Sequence, residues 1–151
     1  MKLSTKGRYG LRALIDLALY SDQEAVSIQS ISTRQHISDS YLEQLMRKLK
    51  KEGLVCSMRG AQGGYRLARP AKEISVGDVL RALEGSIEAV SCGEGKNQHC
   101  QGEDLCAARY VWQEINKSIQ ETVDSIMLSQ LVEESRRVLE KGQIEIQKCE
   151  Q

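Results

Sequence analysis

Leu42, Leu45, Met46 and Leu49 recur at i, i+3, i+4 and i+7, and nearly every residue between them is polar or charged. That period fits a helix with one apolar face, which Gly53 stops. Ser40 with Glu43 suits a reciprocal cap at its start. Just upstream, Ser27 can cap a shorter helix through Gln35 that turns Ile28 and Ile31 inward, and a break at His36-Ile37-Ser38 separates the two. Just downstream, LVCSMRGAQGGYRLAR reads as two short strands around a turn in which Gly60, Gly63 and Gly64 are free to take positive φ. Two short helices, a tight turn and a hairpin predict a winged helix-turn-helix.

The rest of the chain adds helices. From Thr5 to about Tyr20, Leu11, Leu14, Ile15 and Ala18 follow helical spacing, with Ser4 or Thr5 as cap. After Pro70, ISVGDVLRALEG predicts a helix capped by Ser75, with Val76, Val79, Leu80 and Leu83 as its stripe and Gly85 as its end. Residues 86–103 are polar and without period, and so form a loop. From there Leu105, Ala108, Trp112, Ile115, Ile119, Thr122 and Ile126 repeat at steps of three and four. Such a stripe suits a long helix packed on its symmetry mate across a two-fold axis, the alternative being that it covers the domain's own core. A last amphipathic helix over about 128–139 leads into a polar tail.

The expected fold is therefore mainly α: a winged helix-turn-helix with a small β-hairpin wing and a long C-terminal dimerisation helix. The expected divisions are a DNA-binding head over 1–84, a cysteine-bearing loop over 85–104, the dimerisation and terminal helices over 105–142, and the tail over 143–151.

Net charge is zero, but residues 1–72 hold 13 Lys+Arg against 6 Asp+Glu (+7) and residues 73–151 hold 8 against 15 (−7). A basic half suits a polyanion, because each Lys or Arg that meets a phosphate releases counterions. The exposed face of the second short helix would carry Ser40, Glu43, Gln44, Arg47, Lys48 and Lys51, and the wing would carry Arg59 and Gly60 at its turn. Arg47 or Gln44 could reach guanine or adenine edges, Lys48 and Lys51 could meet phosphates, and Arg59 could enter a minor groove. Double-stranded DNA is the partner this pattern predicts. No stretch approaches a membrane span, and the basic start is not followed by an export signal, so a cytoplasmic protein with no membrane partner is expected.

Five cysteines without an export signal argue against a disulfide framework. Cys92, Cys100 and Cys106 follow C-x7-C-x5-C in the loop, and gathered thiolates suit an iron-sulfur cluster or zinc, with a thiol redox switch behind them. Three unpaired surface thiols would be a liability. His99, Glu103 and Asp104 are the local candidates for a fourth ligand. Cys56 sits in a strand-like apolar run and is expected in the core. Catalysis finds no support: there is no phosphate-binding Gly motif with a lysine, no HExxH, and only two histidines.

MKLSTKGRYGLRAL, ISDSYLEQLMRKLKKEGLV, RGAQGGYRLAR and ISVGDVLRALEG together resemble the iron-sulfur cluster regulators of the IscR family, over roughly the first 135 residues. The resemblance implies a homodimeric winged-helix protein with crossing long helices that represses or otherwise controls genes of cluster assembly or of iron, sulfur and cysteine metabolism. It also implies supply by cluster donor proteins. Cys92, Cys100 and Cys106 match the family's cluster cysteines, with 2Fe-2S favoured and 4Fe-4S the alternative. Where the best-known type has a ligand histidine three residues after the last cysteine, this chain has Arg109. Where other relatives use an aspartate near the partner's N-terminus, it has Arg8. Relatives without the cysteines regulate cysteine metabolism through a partner enzyme. The remaining alternatives are a zinc-stabilised repressor and a cluster-free one acting through a protein partner or a thiol switch.

Overall fold

The computed structural model describes residues 3–22, 24–92, 102 and 105–149, the stretch 144–149 by its backbone alone. Helix α1 (Thr5–Tyr20) begins where the Ser4 side chain accepts from the Lys6 N–H, and α2 (Ile28–Gln35) where Ser27 accepts from Ser30 at 3.1 Å. His36 ends α2 in the left-handed region at φ 54°. Helix α3 (Asp39–Lys51) then starts two residues earlier than the cap expected at Ser40 requires, and the Ser40–Glu43 cap does not form. Tertiary packing sets that start: Ile37 is buried and its N–H is held by the Ser32 carbonyl, which fixes how the chain enters the helix. Asp39 supplies first-turn negative charge to the helix dipole.

Strands β1 (Val55–Met58) and β2 (Gly64–Leu67) pair antiparallel, with Val55 opposite Leu67 and Met58 opposite Gly64. Val26 extends this wing inward, exchanging hydrogen bonds of 2.9 and 2.8 Å with Tyr65. A Cβ at position 64 would fall on the Val26 carbonyl, so this close approach requires glycine. Only Val55 of β1 is buried. Cys56, expected in the core, is exposed, because the wing projects past the helices that could cover it.

Helix α4 (Val76–Glu84) carries the reciprocal Ser75–Asp78 cap at 3.0 Å in both directions. A short 3-10 turn at Ala71–Glu73 precedes it. Helix α5 (Ala108–Ser125) starts three residues after Leu105, where the stripe begins, and α6 (Leu128–Cys149) runs well past the end expected near residue 139.

The core joins Leu14 and Leu17 of α1, Ile31 of α2, the four apolar residues of α3, Leu54 and Val55, Val79 and Leu83 of α4, and also Leu128 and Val132 of α6. The first turns of α6 thus complete the head. The break between α5 and α6 is itself pinned to the entrance of α4: Val76 N–H donates to the Ile126 carbonyl, and Leu128 N–H to that of Ile74, both at 2.8 Å. Among the described residues no helix is long and apolar enough to cross a membrane.

Candidate nucleic-acid interface and thiol site

Leu42, Leu45, Met46 and Leu49 anchor α3 with at most 1% exposure, so the opposite face is forced outward. Ser40, Glu43, Gln44, Arg47, Lys48 and Lys51 all lie on the exposed side. Arg59 and Gly60 are exposed at the wing turn, where Gly60 takes φ 117° and the Gly63 N–H closes back on its carbonyl at 3.0 Å. Lys48 departs in part from its expected phosphate role: its ammonium donates to the Leu83 carbonyl at the end of α4, at 3.4 Å. Lys50 instead ties the end of α3 to β1 through Ser57 Oγ at 2.6 Å. Lys48, Lys50 and Lys51 in the last turn also complement the negative end of the helix dipole.

What aims this face is a polar lock beneath it. Asp16 of α1 is 2% exposed, and its carboxylate accepts from Arg34 Nη2 at 2.7 Å, Arg34 Nε at 3.0 and 3.2 Å and Gln35 Nε2 at 2.9 Å. The Arg34 guanidinium lies over the Tyr20 ring at 4.1 Å. The hydrogen bond to Asp16 holds Arg34 above its ordinary pKa, against the opposing pull of burial and with the help of the Asp16 charge. A buried carboxylate with this many donors is tolerated, and it fixes α2, hence the turn and α3, to α1. Tyr41 at the start of α3 meets Tyr9 edge-on, centroids 6.2 Å apart.

At the other side of the head, Glu84 of α4 accepts from Ser4 Oγ at 2.6 Å, Gly7 N–H at 2.9 Å and Ser4 N–H at 3.1 Å, capping α1. Neither this cap nor the Asp16 lock was visible in the sequence. Each joins a charged residue to partners many positions away, and no short-range pattern encodes such a pair.

Chain leaving α4 passes the buried Ile87 and runs along α5 to Cys92. Cys92 is half-buried in a groove of about 450 Å³ that Glu88, Val90, Trp112, Asn116 and Gln120 also line. Cys106 is exposed just before the first turn of α5. Cys100 and the ligand candidates His99, Glu103 and Asp104 lie outside the described residues, and among the described residues no three metal-binding side chains come together. Cys92 and Cys106 are both free and stand at the two ends of the intervening stretch. Soft thiolates of this kind suit an iron-sulfur cluster or zinc, and neither thiol is taken up by the core.

The expected dimer stripe divides. Trp112 lines the Cys92 groove and Ile126 packs on Leu80 and Ile87, both within this chain. Leu105 (94%) is exposed ahead of the helix, and Ala108 is exposed at its first position. Ile115 and Ile119 instead join Tyr110, Val111, Ser118 and Thr122 around an open apolar hollow of about 620 Å³. Tyr110 and Val111 belong to this face and were missed, because the expected stripe runs through Trp112, one residue on and about 100° round the helix.

A winged helix with a polar, partly basic second helix turned outward is a class of DNA-binding protein. The chain belongs to the Rrf2 family, described as iron-dependent transcriptional regulators, whose model matches residues 3–134. It is similar to the HTH-type transcriptional regulator IscR of Vibrio campbellii, 44% identical over 135 residues that cover 89% of this chain and 79% of that one. It is 45% identical over 132 residues to IscR of Serratia proteamaculans, covering 87% and 79%. Among solved structures it resembles T. potens IscR, with a TM-score of 0.72, 42% identity and coverage of 89% and 88%. It also resembles CymR, the global cysteine regulator of B. subtilis, with 0.74, 38%, and 88% and 97%. These relatives are transcription regulators, so this chain is a DNA-binding regulator of transcription and not an enzyme.

Proposed function

We infer that the chain is a cytoplasmic, homodimeric regulator, a repressor, that senses an iron-sulfur cluster and controls genes of cluster assembly or of iron, sulfur and cysteine metabolism. One observation carries this reading: Cys92 and Cys106 bracket the connection between the DNA-binding head and α5, so a group held there acts on both. Cys92, Cys100 and Cys106 are the thiolate ligands, His99, Glu103 or Asp104 supplies the fourth, and 2Fe-2S is favoured over 4Fe-4S. Cluster donor proteins load it.

The apolar face of α5 around Ile115 and Ile119 pairs with its symmetry mate, and the dimer sets two α3 helices into major grooves at half-sites about 34 Å apart. Ser40, Glu43, Gln44 and Arg47 read bases, Lys48 and Lys51 approach phosphates, and Arg59 with Gly60 follows the adjoining groove. Binding of the cluster couples to operator affinity by about 1–3 kcal/mol.

A second, cluster-free reading rests on the likeness to the cysteine regulator CymR. Visible absorption with iron and sulfide analysis on protein purified without oxygen separates the two. Brown protein whose iron and sulfide vanish in Cys106→Ala is expected. Colourless protein, with zinc or with no metal after reconstitution, overturns the cluster reading and leaves the DNA-binding one standing.

A further inference from the structure

The segment that delivers Cys92 is hydrogen-bonded to α5 through the side chain of Asn116. Asn116 Oδ1 accepts from the Ala89 N–H at 2.8 Å, and Asn116 Nδ2 donates to the Val90 carbonyl at 2.9 Å. One carboxamide thus binds a backbone donor of one residue and the backbone acceptor of the next. A carboxamide offers both groups on one short arm; a carboxylate offers acceptors alone, and a hydroxyl offers one oxygen for both roles. Three residues before Val90, Ile87 is 5% exposed and packed with Val76 and Leu80. The chain is therefore fastened in the core at Ile87 and again on α5 at 89–90, and Cys92 follows two residues later.

The geometry points to Asn116 as the positioning residue for Cys92, and through it for the group that the cysteines hold; this second step rests on the cluster reading above. Cys106 adjoins the first turn of α5, whereas Asn116 refers Cys92 to a position over two turns further along the same helix. A cluster that bridges the two cysteines then has one ligand referenced to the start of α5 and another to its middle. Partners that orient ligand residues in this way tune the affinity and electronics of a bound metal centre. No spacing argument could have singled out Asn116, because its role is to pair with backbone some 26 residues upstream.

The experiment measures alkylation of Cys92 and Cys106 by iodoacetamide in the same cluster-free molecule, using peptide mass mapping. Wild type is compared with Asn116→Ala, Asn116→Asp and Asn116→Gln. Loss of both hydrogen bonds is expected to speed Cys92 alkylation roughly tenfold in Asn116→Ala, with Cys106 unchanged. Asn116→Asp should resemble it, since a carboxylate faces the Val90 carbonyl, and Asn116→Gln should restore part of the protection. In reconstituted protein, the cluster's reduction potential and lifetime in air should follow the same order. An unchanged Cys92 rate in Asn116→Ala, or equal acceleration of both cysteines, overturns the inference while the cluster reading stands. Wild type that takes up no iron or sulfide ends the cluster reading and the second step with it, while the Cys92-to-Cys106 rate ratio still decides whether Asn116 holds Cys92.

Discussion

Helices α3 and α5 are both strongly amphipathic, yet α3 buries four apolar side chains and α5 buries none completely. Each pattern announces a face that must leave water, and neither says what will cover it. The face of α3 is covered by α1, α2 and α4 of the same chain. On α5, one flank closes on its own α4 and the Cys92 segment while the flank with Tyr110, Val111 and Ile115 stays open. Among the described residues, the head together with the first turns of α6 covers its own apolar faces, whereas α5 leaves one apolar flank exposed. Apolar helix faces of this kind mark association surfaces.

Equal truncations on the two helices test that contrast most severely. Leu45→Ala removes a side chain with 1% exposure and should cost about 3 kcal/mol in urea unfolding. Ile115→Ala, 38% exposed, should change the stability of dilute, dissociated protein by less than about 0.5 kcal/mol. In concentrated protein Ile115→Asp should move the sedimentation coefficient to that of the monomer. Equal losses for the two alanine variants at high dilution would show that α5 is covered by its own chain after all.

The wing sharpens the comparison from the head's side, since it is held by few contacts. Gly64→Ala sets a Cβ on the Val26 carbonyl and should cost about 2 kcal/mol, read as a lowered Tm together with weaker operator binding. Full operator affinity in that variant would mean the Val26–Tyr65 pairing does not aim the wing.

The smallest effect concerns the cap of α1. Burial pulls the Glu84 carboxyl upward, but the Ser4 hydroxyl, the Gly7 and Ser4 N–H groups and the charge of Lys6 together hold it below its ordinary 4.5. A lowered folded-state pKa means that the unfolded chain binds more protons. The stability from this cap is present above about pH 4.5 and is lost as pH falls through the folded value. Glu84→Gln should therefore flatten the acid limb of a stability-against-pH curve while leaving the α5 association at neutral pH unchanged. An unaltered acid limb would remove Glu84 from the accounting.

The head was legible because its signals are local and redundant. Ile31 and the apolar face of α3 share a period with their helix, Ser27 and Ser75 sit where caps are needed, and glycines mark the wing turn. Errors fell where a neighbour in space overrode a local preference. Buried Ile37 moved the start of α3 and displaced the Ser40–Glu43 cap. On α1, Ala13 and Leu17 turned fully inward while Leu11 and Ile15 stayed half-buried, because the closely packed α4 lies on the side of Gly7 and Gly10. The end of the stripe at Ile126 does coincide with the end of α5, where backbone pairing with Ile74 and Val76 returns the chain to the head. At the thiol site the cysteines could be named from residue type and spacing. Asn116 could not, because its partners are backbone groups of a distant segment.

The sequence by itself determined the helix and hairpin order, the outward polar face of α3, the placing of cysteines between the head and α5, and the family, because each follows from residue type and short-range period. Only the tertiary structure decided that α6 completes the head's core, that Asp16 and Glu84 brace α1, and which flank of α5 is left open. Those outcomes depend on which surfaces meet once the chain has folded back on itself, and burial and hydrogen bonding between distant residues settle them where no local pattern reaches.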